Sequence, residues 1–175
     1  MEKFDSKPSA DIQAALNVIA RRKWFTEEKP DQQLDLTYTY LEGAELNNAQ
    51  LSRVNFTGAV LNNAELMGTH LQDARLDRCY LNSAIFYRAN LSGAGLVEAV
   101  MRRAQFNDAD LSRAGLTSAD CSDARFWQAN LEGATLFSSN LSSAKGLTWE
   151  QVQRASLFDS TLLPPDLESF RKTPE

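Results

Sequence analysis

The side chains of this chain that could do chemistry are few, and their spacing favours none of the common active sites. The sequence holds one histidine, His70, and two cysteines, Cys79 and Cys121. A structural or catalytic zinc centre needs three or four nitrogen or sulfur ligands placed together. No glycine-rich phosphate loop, HExxH motif or pair of CxxC motifs occurs in the sequence. We therefore expect no catalytic residues, no metal site, no cofactor and no enzymatic activity.

The elements that position these side chains are indicated by a period of five residues from 39 to 145. Every fifth residue from Leu41 to Leu141 is apolar, and these twenty-one positions hold fifteen Leu, four Phe, one Met and one Cys. Two residues before each of them lies a small residue, which is Ala at sixteen of the twenty-one positions. A strict period over so long a stretch is typical of a solenoid.

Neither an α-helix nor a flat strand accommodates a period of five. In a helix the apolar residues would spread around the axis, and in a strand they would alternate between faces. The apolar set stays inside only if each pentapeptide contains a bend, and five glycines that lie two residues after a central residue mark its position. These are Gly43, Gly58, Gly68, Gly93 and Gly133.

A second period, of twenty residues, indicates that each coil of the solenoid has four sides. Phe86, Phe106 and Phe126 are twenty residues apart, which stacks them about 4.8 Å from one another. The two cysteines are about two coils apart, which is too far for a disulfide, and we expect both to be packed, reduced thiols. Ser52 and Ser92 would lie one coil on either side of His70; a Ser-His-Asp arrangement is not excluded by counting, although a solvated histidine is favoured.

Pentapeptides such as 89–93 (ANLSG), 109–113 (ADLSR) and 129–133 (ANLEG) resemble the A(D/N)LXX motif of the pentapeptide-repeat family. The resemblance implies an all-β solenoid: a right-handed quadrilateral β-helix of about five coils, with short helical caps at both ends. The segments 11–16 (DIQAAL) and 146–152 (GLTWEQV) are most similar to cyanobacterial members.

The flanks of the repeats are predicted to cap the solenoid, whose ends would otherwise expose apolar cross-sections. Residues 1–38 form an N-terminal helix and linker, 39–145 the β-helix, and 146–175 a C-terminal helical cap and tail. The helix is expected over 9–23, with Ser9 as N-cap and Ile12, Leu16 and Ile19 on one face. Further cap and repeat residues are expected at Trp24, Phe25, Leu34, Leu36, Trp149, Val152, Leu162, Leu163 and Leu167, with a capping box from Thr148 to Gln151.

Charge distinguishes two possible functions. The family includes gyrase-directed members whose acidic rods resemble duplex DNA, and such mimicry is the alternative function here. Residues 39–145, however, hold eleven acidic and nine basic residues, a net charge of −2, whereas a DNA mimic needs a continuous negative field. We therefore expect no direct contact with nucleic acid and favour a non-enzymatic protein-interaction module, acting as a scaffold or regulator.

A surface for a protein partner is suggested by outward apolar residues on two neighbouring walls. We expect this partner to be another protein of unknown identity, with no membrane involved because no apolar run of eighteen residues occurs. The chain is predicted to be cytoplasmic, and a monomer or a weak homodimer through an end or an apolar wall. Cover by the terminal segments is the other explanation of the apolar residues. The candidate binding residues are Tyr40, Val60, Met67, Tyr80, Ile85, Tyr87, Val100 and Trp127.

Overall fold

The pentapeptides form a four-sided coil in the computed structural model, which describes residues 7–21, 33–157 and 160–171. Parallel β-bridges join residues twenty apart in four ladders, which we call walls 1 to 4. Wall 1 runs through Asp35, Asn55 and Arg75, wall 2 through Tyr40, Val60 and Tyr80, wall 3 through Glu45, Glu65 and Ile85, and wall 4 through Gln50, His70 and Asn90. The predicted right-handed quadrilateral β-helix is confirmed.

The corners between walls are β-turns that contain one residue with positive φ. In the first complete turn the Ala44 N–H donates to the Leu41 carbonyl at 3.1 Å. Every fifth residue from Tyr38 to Ser138 has a positive φ, sixteen of them without being glycine. At Gly58 a Cβ would lie 2.5 Å from the exposed Tyr38 ring, so any other residue there would displace that ring. The position predicted from the glycines is therefore the bend of each repeat.

The preference for Asp or Asn in the motif follows from this turn. At the residue before the central one, the side-chain oxygen accepts a bond from the backbone N–H two residues later, as from Ser92 to Asn90 at 3.0 Å. In several repeats the residue before the central one is not Asp or Asn, and the same backbone N–H then donates to a side chain twenty residues earlier. The Met67 N–H, for example, donates to Asn47 Oδ1 at 2.9 Å. Local side-chain bonds thus stabilise corners that repeat with little glycine.

The core is a column of buried central residues lined by alanine. Leu91, Leu111 and the other central residues from Leu41 to Leu141 are buried, as predicted. The Phe86 and Phe106 rings stack with centroids 4.9 Å apart, and those of Phe106 and Phe126 lie 5.2 Å apart. The period of twenty therefore does stack like residues on like.

The N-terminal cap is helix α1, Ala10–Arg21, which lies against the first coil. Its Leu16 is buried and Ile19 packs against the core, whereas Ile12, one turn earlier, is 45% exposed. The Gln13 side chain donates to the Glu45 carbonyl at 2.7 Å and accepts from the Glu45 N–H at 3.0 Å. Its amide thus replaces the peptide that an earlier coil would have supplied. Trp24 and Phe25 lie outside the described residues.

The coil begins and ends with irregular turns. Asp35 already bridges to Asn55, so the weak repeat at Leu34 and Leu36 is part of the coil. At the other end Ser156 bridges to Thr135 and Leu162 to Asn140. The coil therefore continues past Gly146, where the regular five-residue spacing stops.

Two short helices complete the C-terminal end. Helix α2, Trp149–Gln153, carries the predicted capping box between Thr148 and Gln151, and helix α3 spans Pro165–Arg171. Leu163 and Leu167 are buried, whereas Leu162 is 52% exposed, contrary to its predicted role as cover. Its backbone is held in the wall 2 ladder, which leaves its side chain pointing outwards as at the other bridge positions. Among the described residues, no helix has the length and apolar character needed to cross a membrane.

Candidate interaction surface

The chemistry-bearing residues are not brought together into an active site. His70 lies on wall 4, and its Nδ1 is 3.5 Å from Gln72 Nε2. The two serines that could have served as a nucleophile bond elsewhere: Ser52 Oγ donates to Gln72 at 2.8 Å, and Ser92 Oγ to Asn90 at 2.7 Å. In the part of the chain that the structure describes, no group of three or more His, Cys, Asp or Glu residues could hold a metal ion.

The two thiols are buried in the core and are not disulfide-bonded. Cys79 occupies an inner slot, where its Sγ donates to the Phe56 carbonyl at 2.9 Å, and burial raises the pKa of this thiol to about 12. Burial also raises the pKa of Cys121, which fills a central position. A thiol that keeps its proton is a poor nucleophile, so these groups act as packing side chains.

The first part of the predicted binding surface is a column on wall 2. Parallel bridges stack Tyr40, Val60, Tyr80 and Val100 in that order, and polar Asp120 follows. The tyrosines are well exposed, at 65% for Tyr40 and 50% for Tyr80, while the two valines between and below them are half-buried. The column is therefore an apolar ribbon over four rungs with two projecting aromatic rings.

The hydroxyl of Tyr40 donates to the carboxylate of Glu42. This hydrogen bond raises the pKa of Tyr40, because loss of the proton would leave two negative groups in contact. The ring is thereby tied at its tip to the neighbouring corner, while its faces stay open to a partner.

The second part of the predicted surface lies elsewhere. Met67, Tyr87 and Trp127 are the first turn residues after wall 3, so they form a column on the corner between walls 3 and 4. Trp127 lies against the backbone of Gly146, where a Cβ would come 2.4 Å from its ring, and it remains 46% exposed. Arg88 lies over the Tyr87 ring at 4.9 Å from the centroid.

The candidate binding residues therefore form two separate columns. The wall 2 column and the column on the 3–4 corner are separated by the 2–3 corner and by wall 3, to which Ile85 belongs. The 2–3 corner is polar, with Asn62 and Asn82 bonded to one another at 3.1 Å. A small partner would contact one of these columns, not both.

Cover by the terminal segments does not explain the most exposed of these residues. Helix α1 is held at the end of the coil through Gln13 and Leu16. Tyr40, Tyr80 and Trp127 are 65%, 50% and 46% exposed. Within the described part of the chain, the apolar ribbon of wall 2 is surface and not core.

Sequence reasoning missed the order of charges along wall 3. From the first coil to the last, its bridge residues are two acids, an apolar and a neutral polar residue, and two bases: Glu45, Glu65, Ile85, Gln105, Arg125 and Lys145. At the basic end, Arg103, Gln105, Arg125 and Lys145 line a shallow cavity of about 420 Å³ together with Ser83 and Asp123. The signal was in the sequence and appears when every twentieth residue is read in register.

Comparison with known proteins supports the fold. The family model described as pentapeptide repeats matches residues 35–73, 74–113 and 114–145, with 8 copies. Among solved structures, the chain is similar to HetL from the cyanobacterium Nostoc sp. strain PCC 7120, a pentapeptide repeat protein involved in heterocyst differentiation regulation. The identity is 23% over 74% of this chain and 72% of that chain, with a TM-score of 0.46. No curated protein matches the chain.

Two other solved structures are also similar. A pentapeptide repeat protein from the Arabidopsis thaliana thylakoid lumen is 22% identical over 74% of this chain and 82% of that chain, with a TM-score of 0.42. Full-length QnrB1, a plasmid-mediated fluoroquinolone resistance protein, is 18% identical over 70% of this chain and 74% of that chain, with a TM-score of 0.39.

Proposed function

Because this chain belongs to the pentapeptide repeat family, we propose that it is a non-enzymatic protein-interaction module that acts as a scaffold or regulator. The observation that carries the proposal is the exposed ribbon of Tyr40, Val60, Tyr80 and Val100 on wall 2. A contiguous apolar strip on a monomer surface usually marks a contact site. We place the activity in the cytoplasm.

The absence of enzymatic activity is part of the same proposal. Leucine and phenylalanine fill the interior of the coil, and the walls are flat, so the described residues offer a ligand no deep enclosed pocket of the usual kind. His70 contacts Gln72 and is not oriented by a carboxylate. What such a rod offers instead is a rigid surface on which side chains recur at strand spacing.

We expect the partner to carry a protruding apolar group that fits between the rings of Tyr40 and Tyr80. Tyr40 and Tyr80 are two rungs apart, or roughly 10 Å. Tyrosine is among the residues that contribute most at interfaces, because a large ring is buried at small entropic cost. The rigid backbone beneath it further reduces the cost of ordering.

The experiment replaces the Tyr40 and Tyr80 rings and asks whether a specific partner is lost. A photo-cross-linking residue at position 80 captures the partner in an extract of the source cells, and the purified pair is then measured by calorimetry. We expect Tyr40→Ala with Tyr80→Ala to weaken binding about 30-fold or more. His70→Ala, at a bridge position on wall 4, is the matched control and should leave the affinity unchanged.

A partner that binds the double variant as tightly as the wild type would contradict the proposal. Circular dichroism and the thermal midpoint establish that both variants are folded. Because the exposed rings contribute little to the core, we expect the two midpoints to agree with the wild type.

The alternative function, mimicry of DNA to inhibit or protect gyrase, is less well supported by the charges. Wall 3 changes from acidic at Glu45 and Glu65 to basic at Arg125 and Lys145, whereas a DNA mimic presents negative charge along its length. A supercoiling assay with purified gyrase decides the point. Inhibition or quinolone protection at low micromolar protein would replace the interaction proposal by this one.

A further inference from the structure

The charge order on wall 3 is self-complementary. Its six bridge residues run from Glu45 and Glu65 to Arg125 and Lys145, with neutral Ile85 and Gln105 between them. A surface with acids at one end and bases at the other fits a second copy of itself turned end for end. We propose that two copies of this chain associate face to face through wall 3, with their coil axes antiparallel.

The register of this dimer follows from the spacing of the rungs. A twofold axis that lies in the interface along the strand direction, between Ile85 and Gln105, places these two residues opposite one another. The same rotation brings Glu65 opposite Arg125 of the second copy, one and a half rungs from the axis. Glu45 then lies opposite Lys145 of the second copy, a further rung away. Both pairs occur twice.

The corner between walls 3 and 4 obeys the same symmetry. Its first turn residues are Met67, Tyr87, Asn107 and Trp127, so the rotation brings Met67 against Trp127 of the second copy. It also brings Tyr87 against the polar side chain of Asn107. The exposed apolar column on this corner thus acquires both an apolar and a polar counterpart.

Other arrangements of two copies on this wall lose the complementarity. A parallel dimer would place Glu65 against Glu65 and Arg125 against Arg125. An antiparallel dimer shifted by one rung would face Glu65 with Lys145 or with Gln105, and it would keep only one kind of charge pair. Six rungs and two corners cover roughly 25–30 Å by 15 Å, so the dimer buries about 750–900 Å² in total, an area typical of a weak, transient association.

The interface charges have only weak competing contacts within one copy. Glu65 accepts a bond from Asn47 Nδ2 at 3.0 Å, and Glu45 is 2.8 Å from Lys7 Nζ. Arg125 and Lys145 form no ion pair among the described residues. Glu65 with Arg125 is therefore the pair that determines the register. This proposal concerns wall 3 and is independent of the partner proposed for wall 2.

The test is a charge swap followed by sedimentation velocity over a series of protein concentrations. We expect the full chain to dimerise at micromolar to submillimolar concentration, and less so at high salt. Glu65→Arg and Arg125→Glu should each weaken the homodimer at least about tenfold, because each places like charges opposite one another. Arg75→Glu, the same charge change on wall 1, should have no effect.

Two rescue experiments separate this geometry from a general effect of charge. The double variant Glu65→Arg with Arg125→Glu should dimerise like the wild type. An equimolar mixture of the two single variants should form a heterodimer. At positions 65 and 125 one variant carries two bases and the other two acids, so both 65–125 pairs across the interface are again of opposite charge. Native mass spectrometry identifies this heterodimer by its intermediate mass, and circular dichroism shows that all variants are folded.

Three results would overturn the proposal. One is a chain that stays monomeric throughout the concentration series. Another is a dimer that is insensitive to both single reversals, which would place the contact at an end of the rod or on another wall. The third is a mixture of single variants that yields no heterodimer. Dimerisation with no partner on wall 2 would support this proposal and contradict the functional one.

Discussion

The stack of three phenylalanines should contribute measurable stability beyond the burial of its rings. Phe106 lies between Phe86 and Phe126, with centroid distances of 4.9 Å and 5.2 Å. Leucine is the commonest residue at central positions, so Phe106→Leu keeps an apolar side chain in the slot and removes both ring contacts. Phe56→Leu is the matched control: Phe56 is equally buried, and its neighbours one coil away are Leu36 and Leu76.

The magnitude follows from the number of ring contacts. A stacked aromatic pair contributes about 0.5–1.5 kcal/mol beyond area burial, so the Phe106 variant should lose about 1–3 kcal/mol more than the Phe56 variant. At about 2–4 °C for each kcal/mol in a chain of this size, the thermal midpoints should differ by several degrees. Phe86→Leu and Phe126→Leu each remove one contact and should fall between the two.

Urea unfolding followed by circular dichroism measures these differences. The reasoning is refuted if the Phe106 variant unfolds with the same free energy as the Phe56 variant. An unchanged dependence on urea concentration shows that the variants unfold from equally compact states. A loss of stability that increases with the number of ring contacts removed would show that the stacking of residues twenty apart stabilises the fold.

Two further predictions concern the thiols and the N-terminal cap. Because burial raises the pKa of Cys79 from 9.0 to about 12 and also raises that of Cys121, the folded state holds protons that the unfolded state releases. The free energy of unfolding should therefore fall between about pH 9 and pH 12, by about 1 kcal/mol per pH unit for each thiol. Urea unfolding of the variant Cys79→Ala with Cys121→Leu should not show this fall. If the variant shows the same pH dependence as the wild type, the thiols are not its cause. Gln13→Met removes both amide bonds to Glu45, so the Glu45 N–H should exchange faster with deuterium, while the Glu65 N–H, bonded to Ala44 at 2.9 Å, serves as the unchanged control.

The fold was predictable because a single signal recurs throughout the coil. The five-residue period determined which residues are buried, and the shared glycine position located the bend. The strict spacing also put Phe86, Phe106 and Phe126 in register. In each case the prediction needed only the distance along the chain, because every wall repeats the same local geometry.

The ends were less predictable because their contacts are irregular. Gln13 caps the coil through a side-chain amide that imitates a peptide, and nothing local distinguishes it from other helix glutamines. Ser156 and Leu162 join the ladders at 21 and 22 residues from their partners, so they fall outside the regular period. The exposure of Ile12 likewise depends on which turn of α1 meets the coil.

The candidate surface was predicted as a set of residues but not as a shape. The exposed rings of Tyr40 and Tyr80 were foreseen from their outward position. Met67 and Trp127 were assigned to the next wall, and they lie at its far corner because they are turn residues. The charge order of wall 3 is not apparent along the chain, because its charged residues are twenty positions apart and other charges lie between them.

The two proposed surfaces have a joint geometric consequence. A twofold axis along the strand direction of wall 3 leaves wall 2 of both copies facing the same side. The dimer would then present two Tyr40–Tyr80 ribbons next to one another, so that a partner with two such apolar groups would bind both. Linked sites of this kind raise the apparent affinity without any new contact. Disruption of the Glu65–Arg125 pair should therefore weaken capture of a bivalent partner while leaving the affinity of each single ribbon unchanged.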